Sequence, residues 1–209
     1  MNPKRIVILL VLGMLLAACG GGGGGSNEPT PLARVTPWPA PSNPLDLAQK
    51  AGLVLENKEF LLYHVHSHLD VFIDGKKVLI PAGIGINIKD PGVRSGKNPV
   101  SYGGIKECAQ PCISPLHTHT ESGLLHTESK KSEPNTLGQF FIEWNVKLDA
   151  NCVGEYCSPA KQVAVYVNGV KFTGDPATIE LTNLKEIAIV IGATPAGGVP
   201  SKIPADATV

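Results

Sequence analysis

The chain has 209 residues, with 18 basic side chains balanced by 18 acidic ones, and 43% of its residues are hydrophobic. Balanced charge without a basic stripe interleaved with aromatics offers no electrostatic footprint for nucleic acid, and that class of partner is excluded. Roughly 165 residues follow an N-terminal Gly/Pro-rich stretch, a length that suits one domain with a core of its own.

Taken in chain order, Lys4 and Arg5 precede an apolar run from Ile6 to Leu16. That run suits the apolar region of a signal peptide and falls short of the roughly 20 residues a membrane-spanning helix needs. The following Leu16-Ala17-Ala18-Cys19 resembles the bacterial lipobox. The resemblance implies that residues 1–18 are a signal peptide and that the thiol of Cys19 takes a lipid such as palmitate. The mature chain is then expected outside the cytoplasm, anchored to the cell membrane or outer membrane through its lipid. Loss of Lys4 and Arg5 with the leader leaves 16 basic residues against 18 acidic ones. Residues 19–44 read as a tether, because the glycine run Gly20 to Gly25 behaves as flexible coil and the prolines at 29, 31, 37, 39, 41 and 44 favour extended chain.

From residue 45 to 192 the pattern is that of a folded β domain. Asn43-Pro44-Leu45-Asp46 reads as a helix start, with Gly52 ending the helix after about two turns. Phe60 to Val71 is rich in β-formers, and Asp74-Gly75 lies between two apolar runs as a hairpin turn does. The same layout returns with Val163 to Val167, Asn168-Gly169 and Val170 to Phe172. Residues 83–116 read as a long loop. Thr136-Leu137-Gly138-Gln139 has the capping-box pattern, and Leu137, Phe140, Phe141 and Trp144 fall at helical spacing. Ile187 to Ile191 reads as a buried strand, and residues 193–209 as a loose tail. These elements predict a mainly β fold, an antiparallel sandwich-like domain with two short helices.

Four cysteines, Cys108, Cys112, Cys152 and Cys157, fall in the domain. An even count in an oxidising compartment favours disulfides, and pairing within each close pair is the first expectation. The alternative is a metal thiolate: Cys-x3-Cys before His117 is loosely similar to the copper loop of cytochrome oxidase subunit II. That loop has one residue fewer before its histidine and a methionine after it, and this chain has neither feature.

All six histidines fall in two short segments, His64-Val65-His66-Ser67-His68 and His117-Thr118-His119 with His126. On a strand, alternate residues share a face, so each His-x-His repeat delivers imidazoles side by side. Neutral imidazole nitrogens grouped in this way suit a divalent transition metal. Asp70 continues the first row, and Glu121 and Glu128 accompany the second as further ligands or as partners that orient the rings. The expected ligand set is therefore His64, His66, His68, His117, His119, His126 and Glu128. Both methionines lie in the leader, which removes thioether ligation from the mature chain and leaves Zn²⁺ and Cu²⁺ as the candidates.

Leu116-His117-Thr118-His119 through Ser122-Gly123-Leu124-Leu125-His126-Thr127-Glu128, with Leu137-Gly138-Gln139-Phe140-Phe141 and Trp144, resembles a family of secreted and membrane-anchored prokaryotic proteins of unassigned function. The resemblance implies that the histidine segments and the Phe-Phe helix belong to one domain, and it carries no activity. Cupins also use His-x-His, but their glutamate follows the second histidine by four or five residues, whereas here Glu121 follows His119 by two and Glu128 by nine. Three functions suit the pattern. One is a module for metal capture, buffering or delivery. The second is a metalloenzyme in which three histidines hold an ion that activates water and Glu121 or Glu128 is the base. The third is an envelope or adhesion domain with a structural metal.

Overall fold

The computed structural model describes residues 34–35, 37–97 and 100–207. The leader, Cys19 and most of the tether lie outside the described residues. In chain order the elements are β1 (Arg34–Val35), α1 (Pro44–Lys50), β2 (Tyr63–Ile73), β3 (Lys76–Val78), β4 (Arg94–Lys97), β5 (Val100–Gly103), β6 (Leu116–His117), β7 (Leu124–Ser129), α2 (Leu137–Trp144), β8 (Cys152–Val153), β9 (Tyr156–Cys157), β10 (Val163–Val167), β11 (Val170–Phe172) and β12 (Glu186–Ile191). The fold is mainly β with two short helices, as the sequence pattern predicts. Among the described residues no helix is long and apolar enough to cross a membrane.

One sheet runs in the order β1, β3, β2, β12, β10, β11, with β7 also paired to β2 and β6 to β7; two small hairpins, β4–β5 and β8–β9, lie apart from it. Most neighbours are antiparallel, but β12 pairs with β2 in parallel, setting Glu186 opposite His68 and Ile191 opposite Ile73. No turn joins these two strands, which explains why hairpin signals in the sequence do not reveal their pairing. Both expected hairpins are present, and their turns hold left-handed residues, Asp74 (φ 48°) with Gly75 (φ 76°) and Asn168 (φ 49°) with Gly169 (φ 79°), as a two-residue type I′ turn demands.

Alternation along the strands splits the sheet into two chemically different faces. Leu69 and Val71 of β2, Leu116 of β6, Leu125 of β7 and Ile187, Ile189 and Ile191 of β12 share a hydrophobic core with Phe140, Phe141 and Trp144 of α2. The intervening residues, among them His66, His126 and His117, take the opposite face. Helix α2 forms where expected: the Thr136 side chain accepts from the Gln139 backbone N–H, the Gln139 side chain accepts from the Thr136 N–H, and Asn145 closes the far end at φ 58°.

Three sequence expectations are corrected. The fold begins before residue 45, within the stretch read as tether, because β1 pairs with β3 in parallel and Trp38 packs edge-on against Trp144 with ring centroids 5.6 Å apart. Pro-rich composition conceals this, since a single tryptophan supplies the burial. Residues 83–116 are not a structureless loop: they carry β4 and β5 and a second small core of Ile86, Val93, Ile105 and Ile113 around the Cys108–Cys112 disulfide. The C-terminal stretch after 192 is irregular but lies against both hairpin turns, with Thr194 and Pro195 beside Gly75 and Ser201 beside Gly169. The second disulfide joins Cys152 to Cys157, so both close pairs are bridged and no free thiolate of these four remains for a metal.

The place of Trp38 in the cooperative unit is testable. Its indole N–H donates to Glu155 at 2.9 Å and its ring also meets Tyr156. Trp38→Ala is expected to lower the unfolding free energy by about 2 kcal/mol, less than for a fully buried tryptophan. Urea unfolding followed by circular dichroism measures this, and a midpoint unchanged from wild type would put Trp38 outside the domain.

Candidate metal centre

The polar face of the sheet gathers its histidines through register. β7 lies between β2 and β6, with His126 directly opposite His66 on one side and His117 on the other. Directly opposed residues in antiparallel strands share a face, so three imidazoles form a row across three strands. The same pairing sets His64 opposite Glu128. His119 follows β6 by two residues and returns to the group, its ring centroid 4.5 Å from that of His126. The result is two overlapping sets, His64, His66, His126 and Glu128, and His117, His119, His126 and Glu128. Within each set the candidate ligand atoms lie within 4.8 Å of one another. These side chains can hold a metal ion.

Hydrogen bonds from the rings fix which nitrogens face inward. His117 Nδ1 lies 2.9 Å from the Ser114 carbonyl, and His119 Nδ1 meets the Tyr102 carbonyl. A carbonyl oxygen only accepts, so both Nδ1 atoms carry hydrogen, and each neutral ring keeps its lone pair on Nε2. Those two Nε2 atoms face each other at 3.1 Å. His64 and His66 also bring their Nε2 atoms together, 3.0 Å apart, where one ring can donate to the other. The two bare lone pairs of His117 and His119 repel at their distance, and that arrangement becomes favourable when a cation sits between them. Ligand nitrogens on a tetrahedral Zn²⁺ are about 3.3 Å apart, given bonds of about 2.0–2.1 Å. Gly85 lets the chain pass this close to β6: it has φ 74°, and a Cβ there would lie 2.4 Å from the Leu116 carbonyl oxygen and 3.1 Å from the His117 Cβ.

Three of the buried side-chain atoms left without partners lie at the same place. His126 Nδ1, Glu128 Oε2 and Glu59 Oε1 are all buried and make no hydrogen bond. His126 Nδ1 lies 3.4 Å from Glu128 Oε1, His64 Nε2 lies 3.3 Å from that oxygen, and Glu59 Oε1 lies 3.8 Å from His119 Nε2. Orphaned groups of this kind are costly unless an ion completes them. Burial holds His117 well below the ordinary imidazole range, reinforced by His119 and His126, and burial also lowers His126 despite Glu128 beside it. His66 is brought down to about 4 by burial and by the neighbouring His126 and His64. Burial works to raise Glu128, but His126 and the other rings outweigh it and hold the carboxyl down to about 2. Neutral rings around an ionised carboxylate are the protonation states that metal ligation requires.

Five of the six histidines and Glu128 therefore come together, and two sequence candidates stand apart from them, with His68 in a third group of possible ligands beside Asp70 and Glu186. His68 is on the polar face but belongs to a separate buried network: its Nδ1 is 2.8 Å from Glu186 Oε2, and its Nε2 donates to the Ser122 carbonyl at 3.0 Å. Burial opposes its charge, but Glu186 and then Asp70 raise its pKa above the ordinary value, and Lys77 closes the network on Asp70 at 2.6 Å. Both ring nitrogens are thus engaged because Glu186 stands opposite His68 in the parallel register. Glu121 lies in the turn between β6 and β7, where strand alternation no longer applies, and it is in neither ligand set. Three acidic residues escaped the sequence reading. Glu59 and Glu186 are brought in by tertiary contact, and no spacing signals them. Glu143 of α2 is fully buried, and burial pushes it well above the carboxylate range; its place on the apolar stripe beside Phe140 and Trp144 is the signal that finds it.

Comparison with protein-family models, curated proteins and solved structures finds no match, so the chemistry is argued from this geometry alone. A groove of about 740 Å³, lined by Leu53, Val54, Pro115, Lys130 and Gln139 among others, contains none of the six clustered ligands.

Burial of these imidazoles makes the metal-free protein acid-sensitive in a defined window. His66, His117 and His126 have folded pKa values below the unfolded value of about 6.5, so the unfolded chain binds more protons as pH falls. Their contribution is complete above about pH 6.5 and drains as pH falls toward the His66 value of about 4, while the raised His68, Glu143, Glu186 and Glu59 act in the opposite sense. Urea unfolding of the chelator-treated protein is expected to show lower stability at pH 5 than at pH 7. Equal or greater stability at pH 5 would contradict the buried neutral rings.

Proposed function

We propose that this protein is a lipid-anchored extracytoplasmic module that captures or buffers a divalent transition metal, Zn²⁺ or Cu²⁺, for delivery at the cell surface. The observation that carries the proposal is the pair of His117 and His119 Nε2 lone pairs facing each other at 3.1 Å, each ring locked by a backbone carbonyl at Nδ1. Such outer hydrogen bonds are the usual means of orienting metal-bound imidazole. The donor set of nitrogen and carboxylate oxygen suits either ion, and with the four domain cysteines bridged it offers no soft sulfur.

Capture is favoured over hydrolytic catalysis by ligand supply. A catalytic zinc keeps three protein ligands and an open position, whereas a four-ligand shell is closed. Here each set already provides four groups. The lipobox-like segment and the Gly-rich stretch after it support the anchored placement, which puts the metal face outside the cytoplasm.

Two measurements test this reading. Elemental analysis after equilibration with Zn²⁺ or Cu²⁺ and desalting is expected to find bound metal in the wild type and less in His126→Ala, since His126 belongs to both sets. Full retention by the variant would overturn the site. Cys19→Ser is expected to move the protein from the membrane fraction to the soluble one, and a variant that stays with the membrane would remove the lipid anchor.

A further inference from the structure

We infer that the centre holds two metal ions at once, bridged by the Glu128 carboxylate, with His64 and His66 on one ion and His117 and His119 on the other. The inference rests on the metal-binding reading above and specifies how many ions the site takes and which residue joins them.

The first ground is ligand number. Five imidazoles and Glu128 converge, two more than a tetrahedral shell accepts, and they divide into two sets of four instead of one set of six. The second ground is that each set contains its own facing pair of Nε2 atoms, at 3.0 Å for His64 with His66 and 3.1 Å for His117 with His119. Each facing pair marks one ion position. An ion placed between His117 and His119 meets only one of these two pairs.

The third ground is the chemistry of the two shared residues. A neutral imidazole has one lone pair, so His126 completes the shell of only one ion. A carboxylate has two oxygens and serves two ions. Glu128 Oε1 is already 3.3 Å from His64 Nε2, while its Oε2 is buried without a partner. Glu128 is held in place by its backbone, whose N–H donates to the Pro115 carbonyl at 2.8 Å, and by β7 pairing with His64 opposite. Two positive ions need more negative charge than one carboxylate brings. Glu59, with Oε1 buried and unpartnered 3.8 Å from His119 Nε2, is the second carboxylate at the same place. Paired metal sites of this kind set their ions about 3.5–4 Å apart.

The two positions differ in exposure, which gives the pair an order of filling. The His64 side chain is 38% exposed, and His117 is buried. The outer position meets solvent more than the inner one, whose His117 is buried, so the outer ion is the first to be lost.

The full chain equilibrated with Zn²⁺ and counted by elemental analysis is expected to hold two ions, with the double variant His64→Ala/His66→Ala holding one. Because the variant removes half-exposed side chains, circular dichroism is expected to stay that of the wild type. A wild-type protein that binds one ion overturns the second position and leaves the metal-binding reading intact. One that binds none overturns both. The bridge has its own readout, needing no variant: with Cu²⁺ the second equivalent is expected to cut the paramagnetic resonance signal per copper by roughly half or more, because ions this close couple. Two uncoupled Cu²⁺ ions, both also retained by Glu128→Gln, would overturn the bridge.

Discussion

The pairing of β7 between β2 and β6 is the constraint on which the rest depends. Because His126 is directly opposite both His66 and His117, one register sets the row of imidazoles across three strands and the hydrophobic surface behind them. A slip by one residue would exchange the faces, turning Leu125 outward and His126 into the core. The apolar side therefore fixes the polar side. Leu116, Leu125 and Leu69 hold the register by packing beneath Phe140, Phe141 and Trp144, and the ligands on the other face inherit their geometry from that packing. A site built on strands in this way is positioned more rigidly than one assembled on loops.

Such a face is costly to build. Two buried rings and the half-buried His66 are kept neutral, and three buried polar atoms lack partners within one cluster. The rest of the fold supplies the compensation: a continuous core, two disulfides and the Trp38 contact from the N-terminal side. Strain of this sort at a functional site, offset elsewhere, is the common pattern in proteins that bind. The His68–Glu186–Asp70–Lys77 network differs in kind, because its charges are mutually paired and its rings have no free lone pair to offer. It fastens the parallel β2–β12 pair and, through the Ser122 carbonyl, the turn that separates His119 from His126.

Much of this was legible in the chain itself, and the limits have physical causes. Both hairpins, both helices, both disulfides and the pairing of imidazoles within each histidine segment follow from local rules: turn chemistry, capping and strand alternation, whereas the meeting of the two segments is set by the β2–β7–β6 register. Local rules do not reveal the company His68 keeps. Alternation assigns it correctly to the face of His66, but which partner claims the ring depends on Glu186, more than a hundred residues away and brought alongside by a parallel pairing that no turn announces. Glu59 was missed for the same reason. Trp38 was hidden for another, since composition averages over a segment and burial of one large side chain does not change the average. Glu121 shows the converse limit, where a period that holds on the strand stops at the turn.

The disulfide at Cys108–Cys112 connects the redox state of the surroundings to the metal ligands. That bridge sits in the small core of Ile86, Val93, Ile105 and Ile113, against which Tyr102 packs. Tyr102 in turn offers the carbonyl that fixes the His119 ring, and Gly103 beside it leaves room for that ring, since a Cβ there would come within 3.2 Å of His119 Nδ1. The crosslink spans a sequence separation of only four, so it restricts the unfolded chain modestly and adds to what the small apolar core already orders. Where thiols stay reduced, the Tyr102 carbonyl would be held less firmly beside the His119 ring that it orients. The oxidised bridge thus supports the candidate ligands from behind.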